Sequence, residues 1–233
     1  MTPLFKSQFS VGKSILTAEK ILNIAQINSL ERVVMVEDSF YGFRVFNKLF
    51  QENNIPLVFG LRLSVVNDDM IGDERPSKLV FFAKNNEGLK TIKRLYSDAS
   101  LNDNNSLILS HYSVDQFQDV KVAVPFYDSY IYNNLFHFGL SHLGLKGLDP
   151  IFFIEDNNHP FDFQIRSVIE GLDVQTKMVK TILHHNKDDF EAFQMYKASC
   201  SRSQGRAPTF QNPNLDHFCS DDFCWESYKD ATV

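Results

Sequence analysis

Apolar residues recur along this chain with two alternating periods. In residues 17–28 they return at every third or fourth position, which predicts an amphipathic helix with Thr17 as its N-cap. The run at 32–36 is short and rich in β-branched residues, so it predicts a buried parallel strand whose end carries acids. A helix over 41–53 and a strand over 57–63 follow. The order is therefore β-α-β-α-β for the first quarter of the chain.

The alternation continues beyond that point. The pattern predicts a helix over 86–96 and further strands over 78–83, 120–124, 150–154 and 174–182. It ends near residue 199, where Ser, Gln, Gly, Pro and Asn replace the periodic apolar residues. We therefore predict an α/β barrel domain over 1–198 and an extended, irregular linker or tail over 199–233.

Composition narrows the class of protein. A length of 233 residues with 43% hydrophobic residues suits a globular core, and 22 phenylalanines indicate that this core is rich in aromatic rings. A net charge of −6 argues against a broad basic face for nucleic acid, so DNA contact is expected to be indirect. No apolar run is long enough for a membrane span, and three cysteines are too few for a disulfide framework, so we expect a cytoplasmic protein.

The short motifs of the sequence do not identify a phosphate-binding loop or a zinc site. The string Gly12-Lys13-Ser14 lacks the earlier glycine of a phosphate-binding loop. His217, Cys219 and Cys224 do not have zinc-knuckle spacing, which favours free cysteines in a linker. His184 and His185 follow a predicted strand, where sites on parallel sheets gather.

Several longer segments together resemble a known family. They are FKSQFSVGKSILT, VVMVEDSFYGFRVFNKLFQENNIPLVFGLRL, KLVFFAKNNEGLKTIKRLY, HPFDFQIR and NPNLDHFCSDDF. In this order they resemble the polymerase-and-histidinol-phosphatase (PHP) domain of bacterial DNA polymerase III alpha subunits, in a phage-encoded form. The strongest similarity runs from Tyr41 to Gly60. The resemblance implies that 159–166 is a strand carrying an acid, and that the last segment precedes a polymerase palm.

An active PHP domain is a distorted (β/α)7 barrel that holds up to three metal ions, which activate water for phosphoester hydrolysis. Carried onto this sequence, the family's metal-binding positions are only partly kept. The first His-x-His falls on Lys6 and Gln8, the next acid and histidine on Glu37 and Asp38, and a later glutamate on Arg62. A further acid is Asp162, and the final Asp-x-His keeps only its histidine, His184.

These replacements predict a pocket without catalysis. A metal ligand needs a free lone pair, whereas Lys6 and Arg62 are cations that offer none. We expect these two side chains to stand where the metals stood and to neutralise the three acids, Glu37, Asp38 and Asp162. The alternative is that Lys6 and Arg62 point into solvent. On the first hypothesis no cofactor is expected and no residue is catalytic.

Three functions stay open at this point. The first is a degenerate PHP domain of a phage-type replicative polymerase that stabilises the polymerase body or docks a proofreading exonuclease. The second is a metal-dependent phosphoesterase or 3′–5′ exonuclease that uses zinc or manganese on Glu37, Asp38, Asp162, His184 and His185. The third is a free-standing module that binds a host replication protein through an exposed Trp225.

Overall fold

A computed structural model describes residues 1–67, 76–102, 104–136, 143–200 and 220–232. Its strands are β1 (Thr2–Phe5), β2 (Val33–Glu37), β3 (Leu57–Val66), β4 (Ser77–Ala83), β5 (Ser106–Ile108), β6 (Val120–Val124), β7 (Ile151–Ile154) and β8 (Thr176–Ile182). Its α-helices are α1 (Ala18–Ile27), α2 (Phe43–Glu52), α3 (Asn86–Leu101), α4 (Tyr130–Phe136), α5 (Asp162–Glu170), α6 (Phe190–Cys200) and α7 (Trp225–Asp230).

The strands follow the order β2-β1-β8-β7-β6-β4-β3-β5, and β2 also pairs with β3. This pairing makes a closed seven-stranded α/β barrel, with β5 added beside β3, and it confirms the predicted fold class. The chain divides into two compact units. Unit 1 comprises Met1–Val58, Glu155–Asp162 and Val179–Val233, and unit 2 comprises Phe59–Ile154 and Phe163–Met178.

Unit 1 is built on parallel strands. β1 pairs in parallel with β2, with Phe5 opposite Met35, and with β8, with Phe5 opposite Ile182. All three of these side chains are fully buried. Helix α1 begins as predicted, because the Thr17 side chain accepts a hydrogen bond from the Lys20 backbone N–H. The parallel register brings the carboxyl ends of β1, β2 and β8 together at one edge.

Unit 2 contains the antiparallel part of the sheet. β4 runs antiparallel to both β3 and β6, whereas β6 and β7 are parallel. Helix α3 starts at the cap residue Asn85, which accepts a hydrogen bond from Gly88 N at 2.9 Å. A Cβ atom at Gly88 would lie 2.0 Å from the Asp119 carbonyl oxygen, so only glycine permits this close approach.

One element predicted from the resemblance is wrong. Residues 159–166 were expected to be a strand, but helix α5 begins at Asp162. The reason is the spacing of Ile165 and Ile169, which are both buried and lie four residues apart, as on one face of a helix. Asp162 therefore comes to the site from the first turn of a helix.

The C-terminal residues are only partly described. Most of the segment similar to the lead-in of a polymerase palm, together with His217 and Cys219, lies outside the described residues. Phe223, Cys224 and Trp225 are buried in unit 1 and precede or begin helix α7. In the described ranges, no helix has both the length and the apolar character needed to cross a membrane.

Candidate functional site

The predicted pocket residues of unit 1 gather at the carboxyl ends of its parallel strands. Lys6 follows β1, Glu37 ends β2, and His184 lies two residues beyond β8. Gln8 is also in the loop after β1, but it is exposed and its backbone N–H donates to the Leu16 carbonyl at 2.8 Å. The strand order thus brings Lys6, Glu37 and Asp38 to the same edge, where barrel enzymes carry their sites.

Lys6 forms an ion pair with Asp38. Its Nζ donates to Asp38 Oδ2 at 2.9 Å, and the two side chains are 7% and 28% exposed. Lys6 therefore does not point into solvent, and its ammonium group sits on an acid that the metal-binding hypothesis needed as a ligand.

Glu37 is enclosed and accepts hydrogen bonds on both oxygens. Oε1 accepts the Ser7 backbone N–H at 2.8 Å, and Oε2 accepts the Ser10 hydroxyl. Ser10 in turn accepts the Asp38 backbone N–H at 3.1 Å. Burial raises the pKa of Glu37, while the bonds from Ser10 and Ser7 and the charge of Lys6 oppose that rise. Sequence reasoning did not assign a role to either serine.

Glu155 is a third buried acid, and sequence reasoning missed it. It follows β7 directly and accepts from Thr181 N at 2.9 Å, Thr181 Oγ1 at 2.8 Å and Asn157 Nδ2 at 2.9 Å. Burial raises its pKa, and nearby Asp162 raises it further, against these three hydrogen bonds. The pattern that could have revealed it is close to the one at Glu37, namely an acid at or directly after the end of an apolar strand.

The raised pKa of Glu155 predicts how Glu155→Gln responds to pH. A carboxyl group with a raised pKa binds more protons in the folded chain, so its contribution to stability falls as pH rises above its ordinary value of 4.5. Glutamine does not titrate. The wild-type advantage over Glu155→Gln should therefore shrink as pH rises, measured by urea unfolding at several values between about 4.5 and 7.5. The exposed control Glu31→Gln reports what removal of a solvated carboxylate does to the same unfolding curves. A wild-type advantage that grows with pH would contradict this.

Asp162 is held by backbone donors. Its Oδ2 accepts the N–H of Asn157 at 3.0 Å and the N–H of His159 at 3.3 Å. These two hydrogen bonds hold the turn between β7 and α5 in place, so Oδ2 of Asp162 has a structural role in this turn.

His184 is buried against aromatic rings. Its ring lies 5.9 Å from Phe190 and 5.3 Å from Phe193, measured between centroids. Nδ1 lies 2.9 Å from the Asn186 carbonyl, to which it donates when protonated. Burial lowers the pKa of His184, which favours the neutral ring. The neighbouring His185 is half-buried.

Arg62 belongs to unit 2, where its guanidinium Nη1 contacts Asp128 Oδ2 at 3.2 Å. Asp128 was not among the acids that sequence reasoning expected Arg62 to neutralise. It has a positive φ of 61° just after β6, so its position depends on a turn that hydrophobic periodicity does not reveal.

The donor set of unit 1 does not fit a divalent metal centre as it is arranged. Both oxygens of Glu37 and of Glu155 accept hydrogen bonds, one oxygen of Asp162 accepts two, and Asp38 binds an ammonium group. Within the described ranges, no three His, Cys, Asp or Glu side chains are placed to hold a metal ion. A metal ion at Asp38 would have to compete with the ammonium group of Lys6.

Comparisons with known proteins give structural likenesses only. No family model matches the chain, and no curated protein matches it. A Bifidobacterium adolescentis protein described as a presumed metal-dependent phosphoesterase is similar in structure, with 13% identity, a TM-score of 0.44, and coverage of 77% of this chain and 87% of that one. An amidohydrolase from Chromobacterium violaceum, with bound sulfate and no metal, is also similar in structure. Its sequence identity is 11% and its TM-score is 0.34, and the match covers 86% of this chain and 83% of that one. At TM-scores this low, neither likeness identifies a family.

Proposed function

We propose that this chain is a PHP-like barrel of the kind found in phage-type DNA polymerase III alpha subunits, and that it serves DNA replication as a non-hydrolytic structural and docking domain. The observation that carries the proposal is the state of the acids at the strand ends of unit 1. Glu37, Glu155 and Asp162 are buried and bind serine, threonine, asparagine and backbone donors of the chain itself.

The sequence resemblance supports the same proposal. The segment with the strongest similarity, from Tyr41 to Gly60, forms helix α2 and the start of β3, and the segment 78–96 forms β4 and the first part of α3. Of the positions that correspond to metal ligands, Lys6, Gln8 and Arg62 have changed chemistry, whereas Asp162 and His184 have kept theirs. An ammonium group at Lys6 neutralises Asp38 without a metal, so the barrel keeps this edge together by an ion pair.

Metal and activity measurements test the non-hydrolytic part of the proposal. Protein purified without chelator should contain far less than one equivalent of zinc, manganese or iron. Chelator should leave its melting temperature unchanged, because no bound metal contributes to folding. Hydrolysis of nitrophenyl phosphate and of DNA 3′ ends should not exceed that of the Glu37→Gln variant. Stoichiometric metal, together with hydrolysis that this variant loses, would overturn the proposal in favour of the phosphoesterase.

The docking part needs a binding measurement. The full chain, immobilised, should retain a replicative polymerase body or a proofreading exonuclease from the same source. Capture of a host replication protein in place of these two would favour the free-standing module. Retention of neither replication protein would contradict docking while leaving the metal result intact.

A further inference from the structure

A second cluster of polar groups in unit 1 surrounds the carboxylate of Asp222. Its side chain is 8% exposed. Oδ1 accepts the Ser227 hydroxyl at 2.8 Å and lies 3.3 Å from Lys187 Nζ, while Oδ2 accepts a hydrogen bond from Asn158 Nδ2. Both oxygens are therefore bound.

These partners come from three different parts of unit 1. Asn158 lies in the turn after β7 with a positive φ of 51°, Lys187 begins a short 3-10 turn after β8, and Ser227 is in α7. The ammonium group of Lys180, a buried residue of β8, donates to the Asp156 carbonyl at 2.9 Å and adds a positive charge near Asp222. The set presents one amide donor, one hydroxyl donor and two positive charges to a single carboxylate.

The electrostatics of Asp222 agree with this geometry. Burial alone would raise the pKa of Asp222, but the hydrogen bond from Ser227 and the charges of Lys180 and Lys187 outweigh it and hold that pKa below its ordinary value. An ion pair at the protein surface would lower the pKa of an aspartate less, because water screens the charge of its partner.

We infer that Asn158, Lys187 and Ser227, together with the charge of Lys180, form a carboxylate-binding site, and that Asp222 is its resident ligand. The bound carboxylate fixes residues 220–230 against the turn after β7 and the residues after β8, which belong to the same unit. Beside it, Leu183 N donates to the Phe223 carbonyl at 2.8 Å and Trp225 N donates to the His184 carbonyl at 3.2 Å. This inference is independent of the proposed role in replication, since it concerns a different cluster of side chains.

The test removes the Asp222 side chain by substitution and adds a free carboxylate, acetate, to the solution. Asp222→Gly removes the carboxylate and leaves its space, so the melting temperature should fall. Acetate, which has the carboxylate and methyl carbon that the variant lacks, should restore roughly half of the loss in a saturable way. Sodium chloride at equal ionic strength should not. The matched control is Asp221→Gly, which removes the same side chain and charge from the neighbouring residue.

Further variants make the result specific. Lys187→Gln in the Asp222→Gly background should weaken the acetate effect, because it removes one of the charges that bind the ligand. Asp222→Asn should show no acetate effect, since its amide still fills the space. If Asp222→Gly does not fold in plain buffer, acetate present during refolding should recover folded protein and chloride should not. Equal stabilisation of wild type, Asp221→Gly and Asp222→Gly by acetate, or no effect on Asp222→Gly, would overturn the inference.

Discussion

Glu37→Ala should destabilise the chain strongly, by about 3 kcal/mol in the free energy of unfolding. Glu37 is 1% exposed, and its two oxygens accept the Ser7 backbone N–H and the Ser10 hydroxyl. Alanine leaves both donors without an acceptor and leaves a void where the carboxylate was. Urea unfolding at neutral pH, followed by circular dichroism, measures the change.

The exposed residue Glu31 supplies the control for this substitution. Glu31→Ala should change the free energy of unfolding by less than about 0.5 kcal/mol, since it removes a solvated side chain.

The sign of the stability change in Glu37→Ala distinguishes a structural role of Glu37 from a role in metal binding. An acid kept for metal binding in an enzyme costs stability when no metal is bound, so its removal would leave the metal-free protein equally stable or more stable. That outcome would speak against the structural role of Glu37.

Trp225→Ala should have the largest effect of all, a loss of about 3–5 kcal/mol in the free energy of unfolding. Trp225 is 4% exposed, and its ring stacks on Phe5 at 5.7 Å and on Tyr228 at 4.9 Å between centroids. Its removal leaves a large cavity beside β1. Trp225 is therefore a core residue, and the condition for its use as an exposed interface anchor is not met.

Tyr41 is the matched control for Trp225. It is an aromatic residue of the same unit but is 82% exposed, and it touches Phe9 at 5.9 Å between centroids. Tyr41→Ala should cost less than about 1 kcal/mol, because little apolar area leaves the protein interior. Unchanged stability of Trp225→Ala, with loss of a bound replication protein, would return Trp225 to the role of an interface anchor.

The sequence predicted the elements whose formation depends on local pattern. Helices α1 and α2 and strands β2, β3, β4 and β6 lie where periodicity placed them, to within a few residues. The end of α2 was also predictable, because asparagine tolerates the left-handed conformation that commonly ends a helix. Asn54 adopts this conformation, with a φ of 55°. The fully buried rings of Phe5, Phe46, Phe50 and Phe81 confirm the aromatic core.

The pairing of side chains was less predictable. Lys6 and Asp38 lie 32 positions apart in the sequence, and their contact follows from the parallel pairing of β1 with β2. Arg62 contacts Asp128 through a turn that no pattern marks. Glu155 lies directly after an apolar strand and Glu37 at the end of one, but the family resemblance implied Asp162 as the later acid. Trp225 and Asp222 follow an aperiodic stretch, so nothing local indicated that they are buried.

The central claim is that the acids at the strand ends of unit 1 bind the chain's own donors in place of metal ions. Crystals grown with manganese chloride, measured near the manganese absorption edge, test it directly. We predict no anomalous peak within bonding distance of Glu37, Asp38, Glu155, Asp162 or His184, and Lys6 Nζ on Asp38 as described above. A manganese peak bound by two or more of these acids, with the Lys6 ammonium group displaced from Asp38, would contradict the account.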